Sequence, residues 1–400
     1  MIARMPSSLA RFWTLDPGVV FLNHGSFGAC PRPVLDAQQR LRERLERQPV
    51  HFMVRDLEGL LDGARGALAA FLGAESEGLV FVTNATTAVN AVLRSLALAP
   101  GDELLVTDHA YNACRNALAF VAAPARARVV VAPVPFPLAS ADAVVEAVLG
   151  RVTPRTRLAL LDHVTSPTGL VLPVEQLVRE LAARGVDTLV DGAHAPGMLP
   201  LDLRALGAAY YAGNCHKWLC APKGAGFLHL RRDRRDRVRP VVISHGANSS
   251  RTDRSRLLLE FDWTGSHDPT PYLSVPEAIR FLGGLLPGGW PELMARNRAL
   301  ALEARRILCE ALAVTPPCPD EMIGSLATVP LPDGSAASPR SPLDPDPLCD
   351  ALLARFGIEV PIFPWPAPPR RVVRVSCQAY NARGDYEGLA AALVSLTRDG

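Results

Sequence analysis

From residue 56 to residue 230 the chain alternates between two kinds of segment. Short, almost wholly apolar runs are "GLVFVT" (78–83), "DELLVT" (102–107), "ARVVVAPV" (127–134), "RLALLDHV" (157–164) and "VDTLVDGA" (186–193). Between them lie stretches with helical periodicity: "DLEGLLDGARGALAAFLG", "TTAVNAVLRSLAL", "YNACRNALAFVAA", "ASADAVVEAVLGRV" and "VEQLVRELAARG". A strand that is apolar on both faces must be covered on both faces, and intervening helices supply that cover while keeping successive strands parallel. "AAYYAG" and "GAGFLHL" complete the set. The pattern predicts an α/β chain whose mainly parallel sheet is sandwiched by helices.

After about residue 270 the rhythm changes. "SVPEAIRFLGGLL", "WPELMARNRALALEARRILCEALA" and "NARGDYEGLAAALVSL" read as helices, and the Pro-rich "VPLPDGSAASPRSPLDPDP" (329–347) as an exposed loop. Four hundred residues suffice for two cores. The expected division is an N-terminal segment over 1–25, a large domain over 26–275 and a smaller α+β domain over 276–400.

A net charge of +2 gives no electrostatic reason to expect nucleic acid or an anionic membrane as partner. In "RRDRRDRVR" (231–239) aspartates interleave the arginines, which reads as a solvated loop or turn. The start of the chain lacks the apolar core of a signal peptide, and no apolar run of about 18 residues could cross a membrane. Eight cysteines without a CxxC pair fit reduced thiols in a cytoplasmic protein. His109, His163 and His194 lack the close spacing of metal ligands, so no metal is expected.

In an open α/β sheet, ligands bind beyond the carboxyl ends of the strands. Just past these strands stand Asn84-Ala85-Thr86-Thr87, Asp108-His109-Ala110-Tyr111, "DHVTSPTG" (162–169), Asp191-Gly192-Ala193-His194 and Asn214-Cys215-His216-Lys217. The last cluster holds a telling choice. Of 42 lysines and arginines only Lys217 and Lys223 are lysine. Arginine stays protonated, whereas a lysine amine can become neutral and condense with a carbonyl.

Together these clusters fit the requirements of pyridoxal phosphate. Its phosphate needs a helix N-terminus, offered by "NATT". Its ring nitrogen needs a carboxylate, supplied by Asp191, and its aldehyde needs Lys217. His109 is the expected stacking partner of the ring. Donors to the 3'-hydroxyl are expected from His194 or Ser166. Tyr111, at the start of a helix, is placed to act as an acid–base group opposite Lys217.

"FLNHGSFGACP" (21–31), "DGAHAPG" (191–197), "NCHKWLCAPKGAGFL" (214–228), "DWTGSHDPTPYLSVPEAI" (262–279) and "RVSCQAYN" (374–381) resemble the class V aminotransferase-fold pyridoxal-phosphate enzymes. Within that group they are most similar to the isopenicillin N epimerase-like branch, which includes C–S lyases of the hercynylcysteine sulfoxide lyase type. The resemblance implies the type I fold of these enzymes. It makes Lys217 the Schiff-base lysine and Asp191 the pyridine-nitrogen partner. Ala85 and Thr86 then form the phosphate turn, with Asn214 and His216 adding phosphate contacts, and His109 takes the stacking position. Arg374 would grip the substrate α-carboxylate. Thr264 would reach the phosphate of a neighbouring subunit in a homodimer, and Asn23, His24 and Ser26 would line the substrate pocket. The implied activity is β-elimination at a C–S bond or epimerisation of an amino-acid-type substrate. Transamination is the alternative. Cysteine desulfuration is disfavoured because "GIEVPIFPWPAPPRR" lacks the expected cysteine. The pairing of Lys217 with Asp191 argues against a purely non-catalytic cofactor-binding role.

Overall fold

The computed structural model describes residues 7–334, 341 and 344–398. Its main sheet has seven strands: β2 (Leu79–Val82), β3 (Glu103–Thr107), β4 (Arg128–Ala132), β5 (Thr156–Asp162), β6 (Asp187–Gly192), β7 (Tyr210–Asn214) and β8 (Gly226–Leu230). They lie in the order β2-β8-β7-β6-β5-β3-β4. All run parallel except β8, which is antiparallel to both neighbours. Neighbours in the middle of the sheet are therefore joined by helical crossovers, as the apolar runs require.

Successive residues of a strand point to opposite faces, and the core divides accordingly. Leu105, Ala159, Leu161 and Val190 belong to one apolar layer, and Leu104, Val106, Leu158, Leu160 and Leu189 to the other. The first layer includes α2 (Leu57–Leu72), α5 (Ala141–Leu149) and α6 (Val174–Ala182), and the second includes α3 (Ala85–Arg94) and α4 (Asn112–Ala125). An earlier helix, α1 (Arg32–Arg47), precedes them in the chain.

The C-terminal part is built on a three-stranded antiparallel sheet. It comprises β9 (Leu326–Leu331), β11 (Ile362–Pro364) and β12 (Arg371–Ser376), in the order β11-β12-β9. Helices α7 (Val275–Gly283), α8 (Gly289–Leu312), α9 (Pro347–Phe356) and α10 (Arg383–Arg398) accompany it. A short strand β1 (Val20–Phe21) pairs in parallel with β10 (Ile358–Glu359), which ties the N-terminal segment to this part.

The loop expected over 329–347 is corrected at both ends. Val329, Pro330 and Leu331 complete β9, where alternate buried side chains outweigh the proline, and Pro347 opens α9. Residues 335–340 and 342–343 of that stretch lie outside the described residues. The arginine-rich segment forms a 3-10 turn, Arg232–Arg237. Arg234 there pairs with Asp187 at 2.7 Å, and Arg235 pairs with Glu75, so the run ties the start of the central strand β6 to the segment that precedes β2.

Candidate active site

Strands β5 and β6 end side by side, with Asp162 in register with Asp191, and β7 ends beside them at Asn214. The chain then makes the tight turn that carries Lys217. Backbone bonds hold it: Cys215 N and His216 N both donate to Ala225 O at 2.9 and 3.1 Å, and Cys220 N donates to Lys217 O at 2.9 Å. Glycines press against the turn from both sides. A Cβ on Gly28 (φ +68°) would lie 2.2 Å from His216 O, and one on Gly197 (φ +85°) 2.6 Å from Trp218 C. Both positions need a left-handed backbone and no side chain.

Lys217 Nζ lies 3.2 Å from His194 Nε2, and Trp218 Nε1 donates to His194 Nδ1 at 3.3 Å. Burial, and then the charge of Arg374, push the Lys217 amine down to about 8. Burial likewise drives His194 well below the ordinary histidine value. The Asp191 carboxylate is anchored at both oxygens, accepting Ala193 N at 3.0 Å and the Cys114 thiol at 3.2 Å. Its strand neighbour Asp162 is buried, with Oδ2 unpartnered. Burial first, and the charge of Asp191 second, push the Asp162 carboxyl well above the usual carboxylate range. Its carboxyl also receives the backbone N–H of Tyr111.

At the start of α3, Asn84 Oδ1 accepts Thr87 N at 2.8 Å, a side-chain cap. Ala85 N donates to Asn214 Oδ1 at 2.8 Å, so Asn214 braces this turn. Thr86, partly exposed, presents its N–H and hydroxyl at the first turn. His216 Nδ1 lies 2.8 Å from Ala225 O, which makes it the donor and leaves Nε2 as the free nitrogen.

Arg374 reaches the site from β12. It is 1% exposed, and its bonds go to neutral groups: Ser166 O, Ser166 Oγ at 3.4 Å and Ser26 Oγ at 3.2 Å. Its Nε has no partner, and its guanidinium lies 5.0 Å from the Phe363 ring. No acidic side chain among the described residues pairs with it. Tyr111, 43% exposed, stands where Asp191, Cys114 and Arg374 all act on its phenol. Burial is the main cause that raises its pKa, so the phenol is protonated at neutral pH.

Other expected site residues take different positions. His24 is fully buried, with Nδ1 2.8 Å from Tyr380 Oη and Nε2 3.0 Å from Lys217 O, so it bolts the lysine turn to the C-terminal part. Asn23 accepts from Ser26 Oγ at 2.5 Å, behind the serine that meets Arg374. His109 is fully buried as well. Its nitrogens lie 2.8 Å from Thr168 Oγ1 and 3.1 Å from Val134 O, and its ring packs 4.4 Å from that of Trp365. Thr264 sits, partly exposed, in the bend between the short helices Arg256–Phe261 and Thr270–Leu273. Lys223 is exposed and lines a groove of about 510 Å³ with Trp13, Phe27 and Arg42.

Sequence reasoning missed Cys114, Asp162 and Trp218. The only available signals were position: Cys114 lies one turn beyond Tyr111, Asp162 opens the "DHVTSPTG" cluster, and Trp218 adjoins Lys217. No group of three or more metal-ligating side chains is found among the described residues. No helix among them is long and apolar enough to cross a membrane.

The family model "Aminotransferase class-V" matches residues 20–258. An isopenicillin N epimerase of Amycolatopsis lactamdurans is 40% identical over 412 residues, covering 100% of both chains. A putative L-cysteine desulfhydrase of Oryza sativa subsp. japonica is 35% identical, over 98% of this chain and 86% of that one. Among solved structures, a C-DES variant with glycine covalently linked to its PLP cofactor superposes with a TM-score of 0.77. It is 22% identical and covers 94% of this chain and 97% of its own, a likeness of fold. With the family model spanning the sheet and the lysine turn, and a full-length relative at 40% identity, this chain belongs to the class-V aminotransferase family.

Proposed function

We propose that the protein is a pyridoxal-phosphate enzyme acting on an amino-acid-type substrate, as a C–S (β-elimination) lyase or an epimerase. One observation carries the amino-acid part of this reading: Arg374 is a buried cation with an unbonded Nε and no acidic partner among the described residues. An isolated buried charge is costly, and a bidentate carboxylate supplies the missing partner. The cofactor residues fit as well. Lys217 is a lysine held near neutrality, Asp191 is an anchored carboxylate, and Thr86 offers donors at a helix N-terminus.

When bound, the cofactor supplies an electron sink for the bonds at the substrate Cα. The protein's own work is to hold and move protons around it. Lys217, its amine lowered to about 8 by burial, takes the Cα proton in its neutral form. Asp191 would hold the ring-nitrogen proton, and His194 and Ser166 would be the donors to the ring oxygen. Arg374 fixes the carboxylate, and Tyr111 donates a proton from its phenol to a departing sulfur or to the far face of Cα. Protein persulfide chemistry is disfavoured. Every cysteine is buried or partly so, and burial holds each thiol up, away from the thiolate such chemistry needs.

The reading includes a homodimer, with Thr264 contributing to the partner's site. The apolar side chains Phe27, Val50 and Val54, each more than 70% exposed, offer a surface for it. The test is to incubate the purified protein with amino acids, cysteine conjugates and their sulfoxides. Pyruvate and ammonia mark a lyase, and solvent deuterium at Cα with an intact substrate marks an epimerase. A keto acid with the amine form of the cofactor would refute both in favour of transamination.

A further inference from the structure

Trp218 donates its indole N–H to His194 Nδ1, and the opposite imidazole nitrogen faces the Lys217 amine. Indole nitrogen is a donor only, so His194 Nδ1 must be the acceptor. A neutral imidazole carries one proton, and that proton is then on Nε2. Both residues are buried, Trp218 at 1% exposure and His194 at 2%, so no water competes for these positions. Nε2–H can only donate. The atom it meets, Lys217 Nζ at 3.2 Å, must accept with a lone pair, which an ammonium does not have.

We propose that Trp218 is a positioning residue that locks His194 as the Nε2–H tautomer, and that this tautomer favours and orients the neutral, reactive form of the Lys217 amine. The proposal rests on Lys217 being the cofactor lysine. It explains why a tryptophan follows the lysine. An aliphatic or phenyl side chain would fill the same space but leave the tautomer free. With Nδ1 protonated instead, Nε2 would become an acceptor and would favour the ammonium. The same constraint makes His194 an obligate donor toward an oxygen of the bound cofactor.

Other groups bear on the pair, and their directions are consistent with it. Arg374 from β12 acts against protonation of both Lys217 and His194. His24 from the N-terminal segment acts against protonation of His194. Asp191 from β6 and Cys114 from α4 act in favour of protonated Lys217. Removing the indole N–H leaves all four in place, so its effect can be read separately.

The decisive measurement is the two-bond ¹H–¹⁵N spectrum of the apoprotein's imidazoles, with His194→Gln identifying the signal. The expected pattern is Nε2–H for the native protein at pH 7. A native Nδ1–H or doubly protonated His194 would overturn the proposal without recourse to any variant. The second readout is the pH dependence of imine formation between apoprotein and pyridoxal phosphate. Borohydride reduction and peptide mapping would confirm attachment at Lys217. The native midpoint is expected near 8. Trp218→Phe should move it upward by about half a unit to one unit, because a hydrogen bond to the neutral amine is lost. In a His194→Gln background, the same substitution should give no further shift. A shift of equal size in both backgrounds would show that Trp218 acts through packing alone and would overturn the proposal. Attachment elsewhere than Lys217 would instead refute the assignment of the lysine.

Discussion

Replacing Arg374 with methionine should separate binding from stability. The guanidinium is 1% exposed, and burial pushes its pKa down to about 10. That lowering corresponds to about 3 kcal/mol against the charged form. Methionine removes this cost and keeps most of the volume. It also forfeits the bonds to Ser166 and Ser26, whose oxygens lose a donor. The terms oppose each other at similar size, so Tm should rise slightly or hold, as found when buried charges give way to apolar residues. Substrate binding has no such compensation. Two charge-assisted bonds to a carboxylate, at about 1.5–3 kcal/mol each, place the loss in kcat/KM at about 10²- to 10³-fold or more. The assay compares the two proteins by thermal unfolding and by kcat/KM on the true substrate. It also measures Kd for an unreactive amino acid and for the matching amine without a carboxylate. The native protein should prefer the amino acid strongly, and Arg374→Met should not. A variant that unfolds readily yet still discriminates would show that Arg374 is a structural residue.

Lys217→Arg should yield colourless protein with no borohydride-stable cofactor, while Lys223→Arg stays yellow; peptide mapping checks this, and an adduct on Lys223 would reverse the assignment. Asp191→Asn should retain the cofactor but lose turnover by orders of magnitude, since the ring nitrogen loses its charge partner; near-native rates would reduce Asp191 to a brace for the Ala193 and Cys114 contacts. Tyr111→Phe should keep the substrate-dependent spectral shift and lose most product, so turnover like the native protein would point to Lys217 as the only acid–base group. The apoprotein should be acid-sensitive. His24 is held near 3 and His163 and His229 near 4 by burial, so the unfolded chain takes up their protons first as pH falls below 6.5. Each then costs about 1.4 kcal/mol per pH unit until its folded pKa is reached. Thermal unfolding from pH 7 to pH 5 should show a steep fall in Tm, and a flat profile would refute the neutral burial of these imidazoles.

The sheet was legible because its strands are buried on both faces, leaving uninterrupted apolar runs such as "LVFV" and "LALL". Strand order was not, because pairing between β2 and β8 or between β3 and β5 joins strands that do not follow one another in the chain. Strand β9 was concealed by Pro330 and by the proline-rich residues that follow. In the site, Asp191, His194, Asn214 and Lys217 were found by a positional rule, since each directly follows an apolar run. The same rule identified His109, and the family resemblance His24, as residues of interest, but neither identified their surroundings. A sequence gives the imidazole, not which neighbours occupy its nitrogens. Cys114 and Trp218 were passed over because a helical thiol and a tryptophan beside a turn read as ordinary core.

The polar groups at this end of the sheet divide by what they face. Those turned toward the rest of the chain are satisfied: His24 by Tyr380 and the Lys217 carbonyl, Asn214 by Ala85, His109 by Thr168 and Val134. Those turned toward the site keep something in reserve. Arg374 has an unbonded Nε, Thr86 has first-turn donors, and the Lys217 amine is near neutrality. Burial and the neighbouring Asp191 push the Asp162 pKa well up, which disfavours a second negative charge there. The balance favours ligands with anionic ends and an electrophilic centre between them. A chain selected only for stability would have placed an apolar side chain at this position, or given Arg374 a carboxylate of its own. Leaving that place to the substrate makes the arginine's partner appear only when there is something to react with.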